Sequence, residues 1–307
     1  MLLQGSAGAE YRIAFTRDGR ELAGLGGGGR VWLWDTATGA GRPLRASPSG
    51  RADCFAFAPD GETVALAWQS GRVVLFDRQG TRLRGLASSP LGPYWMAFSL
   101  DGRYLALGGL NNALLDLSAP DGSAVYWLPG RAVPRLAFAA DGRHLYAMDF
   151  NGALFRIGVP DGAEVMLDAS LVTGDERGGE YDQAIVAVAC SPDGRWLAAS
   201  AGNGRANRFR AYELATGRAR DLRPQPASPA WALAFAPDGR TLAWAGWEGG
   251  VRLWDVDSGA PRAVLTWEAR PQGICAVAFS PDGATLAAAS PEGTIRLWPW
   301  RQLLGEQ

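Results

Sequence analysis

One short frame of residues recurs seven times along this chain of 307 residues: an alanine, in six copies an aromatic residue, two further residues, and then Asp-Gly. The aspartates of this frame stand 40 to 52 residues apart. They are Asp18, Asp60, Asp101, Asp141, Asp193, Asp238 and Asp282. The aromatic residue is a phenylalanine in every copy except the fifth, which has Cys190. A period of this length indicates one supersecondary unit made seven times.

The last copy shows which strands make up one unit. Two short apolar stretches flank Pro281-Asp-Gly283, in which proline presets φ, aspartate bonds nearby backbone and glycine takes a positive φ. A second turn, Ser290 to Gly293, leads to a third stretch that alternates with period two over residues 294–298. The other copies add a turn ending in glycine and a short fourth stretch. Each unit is therefore predicted to be a sheet of four antiparallel strands.

The stacking of these units predicts the fold. A sheet that is apolar on both faces cannot bury them alone, and radial stacking buries both faces and closes a ring, which is a β-propeller. The last copy ends after its third strand, whereas an extra strand, Leu2-Leu3-Gln4, precedes the first copy. We therefore expect an all-β, seven-bladed β-propeller that forms a single domain over residues 1–307, with the N-terminal strand closing the last blade.

Several residues resemble the WD-repeat (WD40) β-propeller family over essentially the whole chain. They are the Pro-Asp-Gly hairpins, the third strand Thr294-Ile-Arg-Leu-Trp298, and the pairs Trp34-Asp35 and Trp254-Asp255. The Trp-Asp position reads differently in the other copies: Phe76-Asp77, Leu117-Ser118, Ile157-Gly158, Tyr212-Glu213 and Trp298-Pro299. The family's Gly-His dipeptide is missing, because the only histidine is His144. The resemblance implies a non-enzymatic scaffold that binds a protein or peptide and needs no cofactor or metal.

Composition narrows the class of function. All 30 basic residues are arginine, and the formal net charge is −1. Without lysine, Schiff-base and P-loop chemistry are excluded. No basic face is visible, so we expect neither a nucleic-acid partner nor a membrane-surface partner. Three cysteines without metal spacing, no signal peptide and no apolar run of about 18 residues predict a soluble, cytoplasmic protein.

The mouth of the central channel is the candidate site. The first strand of each blade lines the channel of a propeller, so the residues seven and six positions before each hairpin aspartate ring its mouth. Seven of these are predicted to contact a protein or peptide partner: Tyr11, Arg12, Asp53, Tyr94, Trp95, Arg135 and Trp231. Aromatic and arginine side chains dominate binding hot spots. We expect Trp68, Phe150 and Trp247 to rise on the same face. The alternative is that these aromatic residues only cap the interfaces between blades.

Other features favour structural roles over catalysis. We expect the lone His144 to be structural, and Trp34, Trp244, Trp254 and Trp298 to pack in the core. The glycine-rich run 24–29 lacks the helix that would hold a pyrophosphate. No catalytic constellation is visible.

Two alternatives stay open. One is a propeller enzyme, such as a metal-dependent lactonase that uses carboxylates at the channel mouth, and the other is a structural domain of a larger assembly. An acidic insertion over residues 168–183 is expected to be a solvated loop, or else a docking element beside the mouth. Its carboxylates lack the ordered spacing of a calcium loop.

Overall fold

The fold is taken from a computed structural model. The structure describes residues 1–4, 10–26, 28–45, 52–86, 92–119, 122–127, 130–169, 171, 185–202, 207–222, 228, 230–267 and 273–305. Of these, the side chains at positions 4, 10, 11, 125–127 and 185 are outside the description. The described residues form seven sheets, each with four antiparallel strands. The predicted seven-bladed propeller is thus confirmed.

Each of the first six blades is built from four consecutive strands, which follow one another from the channel outward. The first three blades contain β2 (Glu10–Phe15), β3 (Glu21–Gly26), β4 (Val31–Asp35) and β5 (Gly41–Pro43); β6 (Ala52–Phe57), β7 (Thr63–Trp68), β8 (Val73–Asp77) and β9 (Arg82–Leu86); and β10 (Pro93–Phe98), β11 (Tyr104–Gly109), β12 (Asn112–Asp116) and β13 (Ala124–Trp127). The next three contain β14 (Arg135–Phe138), β15 (His144–Met148), β16 (Leu154–Gly158) and β17 (Glu164–Asp168); β18 (Ile185–Cys190), β19 (Trp196–Gly202), β20 (Asn207–Glu213) and β21 (Ala219–Asp221); and β22 (Ala232–Phe235), β23 (Thr241–Ala245), β24 (Gly250–Asp255) and β25 (Ala260–Thr266).

The seventh blade joins the two ends of the described chain. It contains β26 (Ala276–Phe279), β27 (Leu286–Ala289), β28 (Thr294–Trp298) and, as its outer strand, β1 (Leu2–Gln4); a short helix α1 (Trp300–Leu303) follows. The backbone of Leu297 exchanges hydrogen bonds with Met1, at 3.0 Å and 2.9 Å between nitrogen and oxygen. Leu3 is only 1% exposed and packs among residues of the first and seventh blades. The predicted closure by the N-terminal strand is confirmed.

The Asp-Gly hairpins explain why the first two strands of each blade pair. In the third blade, the backbone N–H of Gly102 donates to the carbonyl of Ser99 at 2.9 Å, and Gly102 has φ +72°. The carboxylate of Asp101 accepts bonds from the Ser99 hydroxyl and from the backbone N–H of Arg103. A Cβ on Gly102 would lie 3.7 Å from the ring of Pro59 in the preceding blade. The repeated hairpin thus shapes its own blade and packs against its neighbour.

The core lies between neighbouring blades. Trp34, Trp244, Trp254 and Trp298 are all buried, as predicted. Trp254 meets Phe209 edge to face with ring centroids 5.1 Å apart, which joins the fifth and sixth blades. Aromatic pairs of this kind contribute beyond the area that they bury.

The third blade departs from the predicted position of the Trp-Asp pair. Glu21 pairs with Asp35 in the first blade, and the equivalent Tyr104 pairs with Asp116 in the third. The pair in this blade is therefore Leu115-Asp116, and the predicted Leu117-Ser118 is wrong, because the second turn is shorter in this blade. Asp116 caps the following turn by accepting the backbone N–H of Ser118 at 2.9 Å.

Two further predictions meet the structure only in part. Asp168 ends β17, but most of the insertion over residues 168–183 lies outside the described residues, so its role stays a prediction. In the ranges that the structure describes, no helix is long and apolar enough to cross a membrane.

Candidate functional site

The candidate site lies where the inner strands begin. In each sheet the strand nearest the channel starts beside the end of the second strand, opposite the Asp-Gly hairpin. We call the end of the propeller that carries the Asp-Gly hairpins the hairpin face. The opposite end, which carries the first residues of the inner strands, we call the mouth face. The topology therefore places the predicted partner-binding positions on one face.

Two cavities meet at this face. A cavity of about 370 Å³ lies in the central channel, and a second cavity of about 250 Å³ is lined by residues of the first four blades. Three side chains line both cavities: Arg12, Trp95 and Arg135. They belong to the inner strands β2, β10 and β14, and each stands six residues before its hairpin aspartate. Three predicted residues from three blades are thus brought together at the boundary between the cavities.

Trp95 is the centre of this group. The guanidinium carbon of Arg12 lies 3.9 Å from the centroid of the Trp95 ring, and that of Arg135 lies 4.5 Å from it. Arg12 also donates a hydrogen bond to the backbone carbonyl of Met96. Arg135 donates to the carbonyl of Pro134 at 2.9 Å. Both arginines are therefore held by stacking on an indole and by one carbonyl each.

The second blade leaves room for this contact. Its residue at the same position is Cys54, which is buried and whose sulfur lies 3.5 Å from the carbonyl oxygen of Pro93. Because cysteine is short, Arg12 of the first blade reaches past it to Trp95 and Met96 of the third. Burial raises the pKa of the Cys54 thiol to about 12, so the thiol stays protonated and unreactive at neutral pH.

The two arginines carry charge that the fold does not neutralise. Among the described residues, no carboxylate forms an ion pair with Arg12 or Arg135, and the Nη1 atom of Arg12 is buried without a hydrogen-bond partner. Burial lowers the pKa of Arg12 to about 10, with a further contribution from the charge of Arg135. Burial also lowers the pKa of Arg135 to about 10. Both groups still carry a full positive charge at neutral pH.

Two pairs of aromatic side chains also lie at the mouth. The ring of Tyr94 meets that of Phe150 edge to face at 6.1 Å, and Trp231 and Trp247 lie 4.4 Å apart. Trp247 is 56% exposed, and Tyr94 is also exposed. Gly273 has φ +141°, and a Cβ there would lie 2.7 Å from the Trp231 ring, so only glycine allows this approach. Phe150 and Trp247 follow the second strands β15 and β23, which places them on the mouth face as predicted, with Phe150 only partly exposed.

The remaining predicted residues have different outcomes. Asp53 is exposed and lines the smaller cavity. The side chain of Tyr11 lies outside the described residues. Trp68 does not rise on the mouth face, which corrects that prediction: it is buried with Phe76, at 6.4 Å between centroids, in the core between the first two blades.

The lone His144 contacts a carboxylate of its own hairpin. His144 lies on the hairpin face, where its Nδ1 is 2.6 Å from a carboxylate oxygen of Asp141. In the described part of the chain, no three histidine, cysteine, aspartate or glutamate residues are grouped so as to hold a metal ion.

The contact between Arg12, Trp95 and Arg135 was not predicted, although all three residues were. The signal that could have found it is their shared position, six residues before the hairpin aspartate, in the first, third and fourth blades. Side chains at one position of successive inner strands converge around the channel, and a small residue between them allows a contact across a blade.

Comparison with known proteins bears on the architecture. The model of the family WD40 (WD domain, G-beta repeat) matches residues 177–207, 222–255 and 261–299, which run from the fifth to the seventh blade. A search of curated proteins finds no match. The seven blades share one topology, in which four antiparallel strands follow the same hairpin frame. The repeat matches in these three blades and the seven-bladed architecture are consistent with a WD40-repeat propeller.

Proposed function

We propose that this propeller is a non-enzymatic scaffold that binds a protein or peptide partner on its mouth face. WD40 propellers typically serve as scaffolds for protein interactions. The observation that carries the proposal is the concentration of partly exposed aromatic residues and uncompensated arginines at the mouth, on the first, third, fourth and sixth blades. The rest of the ring at this level is lined by small residues such as Ala187 and Ala276.

The residue types at the mouth are typical of a surface that binds a protein or peptide. Tryptophan, tyrosine and arginine are enriched among residues whose truncation costs the most binding energy. The exposed faces of Tyr94 and Trp247 would be removed from water by a partner, whereas their rings are already held by Phe150 and Trp231. Because the side chains are ordered before binding, little conformational entropy is lost when the partner docks.

The test begins with a partner isolated from the native cell by affinity purification and identified by mass spectrometry. Its dissociation constant is then measured for the parent protein and for the variants Trp231→Ala and Trp95→Ala. We expect each variant to bind at least about tenfold more weakly. Met166→Ala is the matched control, since Met166 is 59% exposed on the outer strand β17, away from the mouth. An unchanged dissociation constant in both tryptophan variants would contradict the proposal.

A further inference from the structure

We infer that the mouth face recognises an acidic peptide, whose carboxylate or phosphate group lies between the guanidinium groups of Arg12 and Arg135 against Trp95. This inference rests on the proposed function and names the chemistry of the partner.

These two arginines differ from other arginines of the same molecule in having no carboxylate partner among the described residues. Arg78 lies 2.6 Å from a carboxylate oxygen of Glu21, and Arg210 is paired with both Asp168 and Asp221. No described carboxylate pairs in this way with either mouth arginine. Enclosed, unpaired cations of like sign destabilise a fold. An incoming anion would satisfy both groups together.

The positions of the two guanidinium groups also favour an anionic ligand. Both guanidinium carbons lie within 4.5 Å of the centroid of one indole, and both side chains line the same cavity, so an anionic group that enters this cavity meets both charges. The buried Nη1 atom of Arg12 has no hydrogen-bond acceptor among the described residues. Guanidinium groups offer paired N–H donors that match the oxygens of a carboxylate or phosphate. The cavity of about 250 Å³ beside them is large enough to take such a side chain.

The surroundings favour a peptide over a nucleic acid. The chain has a formal net charge of −1, and Asp53 lies exposed at the same cavity. A nucleic acid repeats its phosphates along the strand and requires a basic track. An acidic peptide needs only one cationic position, with the apolar rings of Tyr94 and Trp231 available to its neighbouring side chains.

The inference is tested with sets of random pentapeptides that differ only in a fixed central residue: glutamate, phosphoserine, glutamine or lysine. Binding to the immobilised protein is measured at low and high salt. We expect the glutamate or phosphoserine set to bind at least about tenfold more tightly than the glutamine set, and high salt to weaken the preference. Which of the two acidic sets binds more tightly distinguishes a carboxylate from a phosphate as the natural group.

Variants then test whether the tighter binding of the acidic sets depends on Arg135. Arg135→Gln should remove most of it, and Arg135→Lys should restore it only in part, because lysine keeps the charge and loses the paired donors. Arg20→Gln is the matched control: it removes the same charge from an exposed position on the hairpin face. Melting temperatures verify that each variant is folded.

Several outcomes would overturn the inference. They are equal binding of the glutamate, phosphoserine and glutamine sets, no binding by any set, a preference that survives Arg135→Gln, and tighter binding of oligothymidine than of either acidic set. If the glutamate, phosphoserine and glutamine sets all bind equally but Trp231→Ala abolishes binding, the peptide scaffold stands and only the anionic group is wrong. If Trp231→Ala and Trp95→Ala leave peptide binding unchanged, the proposed function itself fails.

Discussion

The two faces of this propeller use the same residue types in opposite ways. On the hairpin face, Arg78 of the second blade lies 2.6 Å from Glu21 and 3.3 Å from Asp18 of the first, so its charge is neutralised between blades. On the mouth face, Arg12 and Arg135 also cross between blades, but they stack on Trp95, and no carboxylate of the described chain pairs with them. Arg78 on the hairpin face is thus neutralised by carboxylates of the neighbouring blade, whereas the two mouth arginines are held by an aromatic ring and carbonyl groups.

The largest effect is expected at the seam of the ring, which supports both faces. Leu3→Ala removes a buried side chain from the closing strand and should lower the free energy of unfolding by about 2–5 kcal/mol. Leu2→Ala changes the neighbouring residue of the same strand, which is 60% exposed, and should have little effect. Chemical denaturation measures both. Equal stability of the two variants would mean that the strand does not close the ring.

An intermediate effect on the free energy of unfolding is expected at acidic pH, where carboxylates of the hairpin face become protonated. The Thr16 hydroxyl is the main cause of a pKa of about 2 for Asp18, and Arg103 and Ser118 lower that of Asp116 to about 2. Because these folded-state pKa values lie below the usual carboxyl value, the stabilisation is present above about pH 4 and is lost as the pH falls towards 2. Since these carboxylates are partly exposed to solvent, we expect their combined loss to be only about 1–2 kcal/mol.

Denaturation midpoints between pH 6 and pH 2 measure this loss. Asp101→Asn is the informative variant, because the hydroxyl of Ser99 lowers the pKa of Asp101 and asparagine does not titrate. Its stability should fall less steeply with acid than that of the parent protein. An identical slope would show that the hairpin carboxylates do not stabilise the fold in this way.

The smallest effect on stability is expected at the mouth. Arg135→Gln removes a half-buried cation that has no carboxylate partner, so the free energy of unfolding should stay within about 0.5 kcal/mol of the parent value or rise. Arg78→Gln is the counterpart on the hairpin face and should destabilise, because it leaves Glu21 and Asp18 without their partner. If Arg135→Gln destabilises as much as Arg78→Gln, the two faces do not differ as described.

Most of the fold could be predicted from the sequence, because the hairpin frame is local. Proline, aspartate and glycine act within four residues, so their recurrence reveals each inner pair of strands and leaves Leu2-Leu3-Gln4 as the missing strand. The prediction failed where the spacing changed: one turn is shorter in the third blade, which moves the Trp-Asp position to Leu115-Asp116.

The site could be predicted only as a set of positions. Its seven predicted residues follow from counting back from the hairpin aspartates. The stacking of Arg12 and Arg135 on Trp95, in contrast, depends on how the inner strands of the closed ring converge around the channel. The burial of Trp68 has a similar cause. It ends β7 beside a turn, and only the packing of the first blade against the second decides that its ring points inward.

The central claim is that the aromatic and arginine side chains at the mouth serve binding and not folding. The most direct measurement is the dissociation constant of the double variant Trp95→Ala, Trp231→Ala for the isolated partner, by calorimetry on protein shown to be folded. We predict binding at least about tenfold weaker than that of the parent protein, with Met166→Ala unchanged. A folded double variant that binds its partner as tightly as the parent protein would contradict the claim.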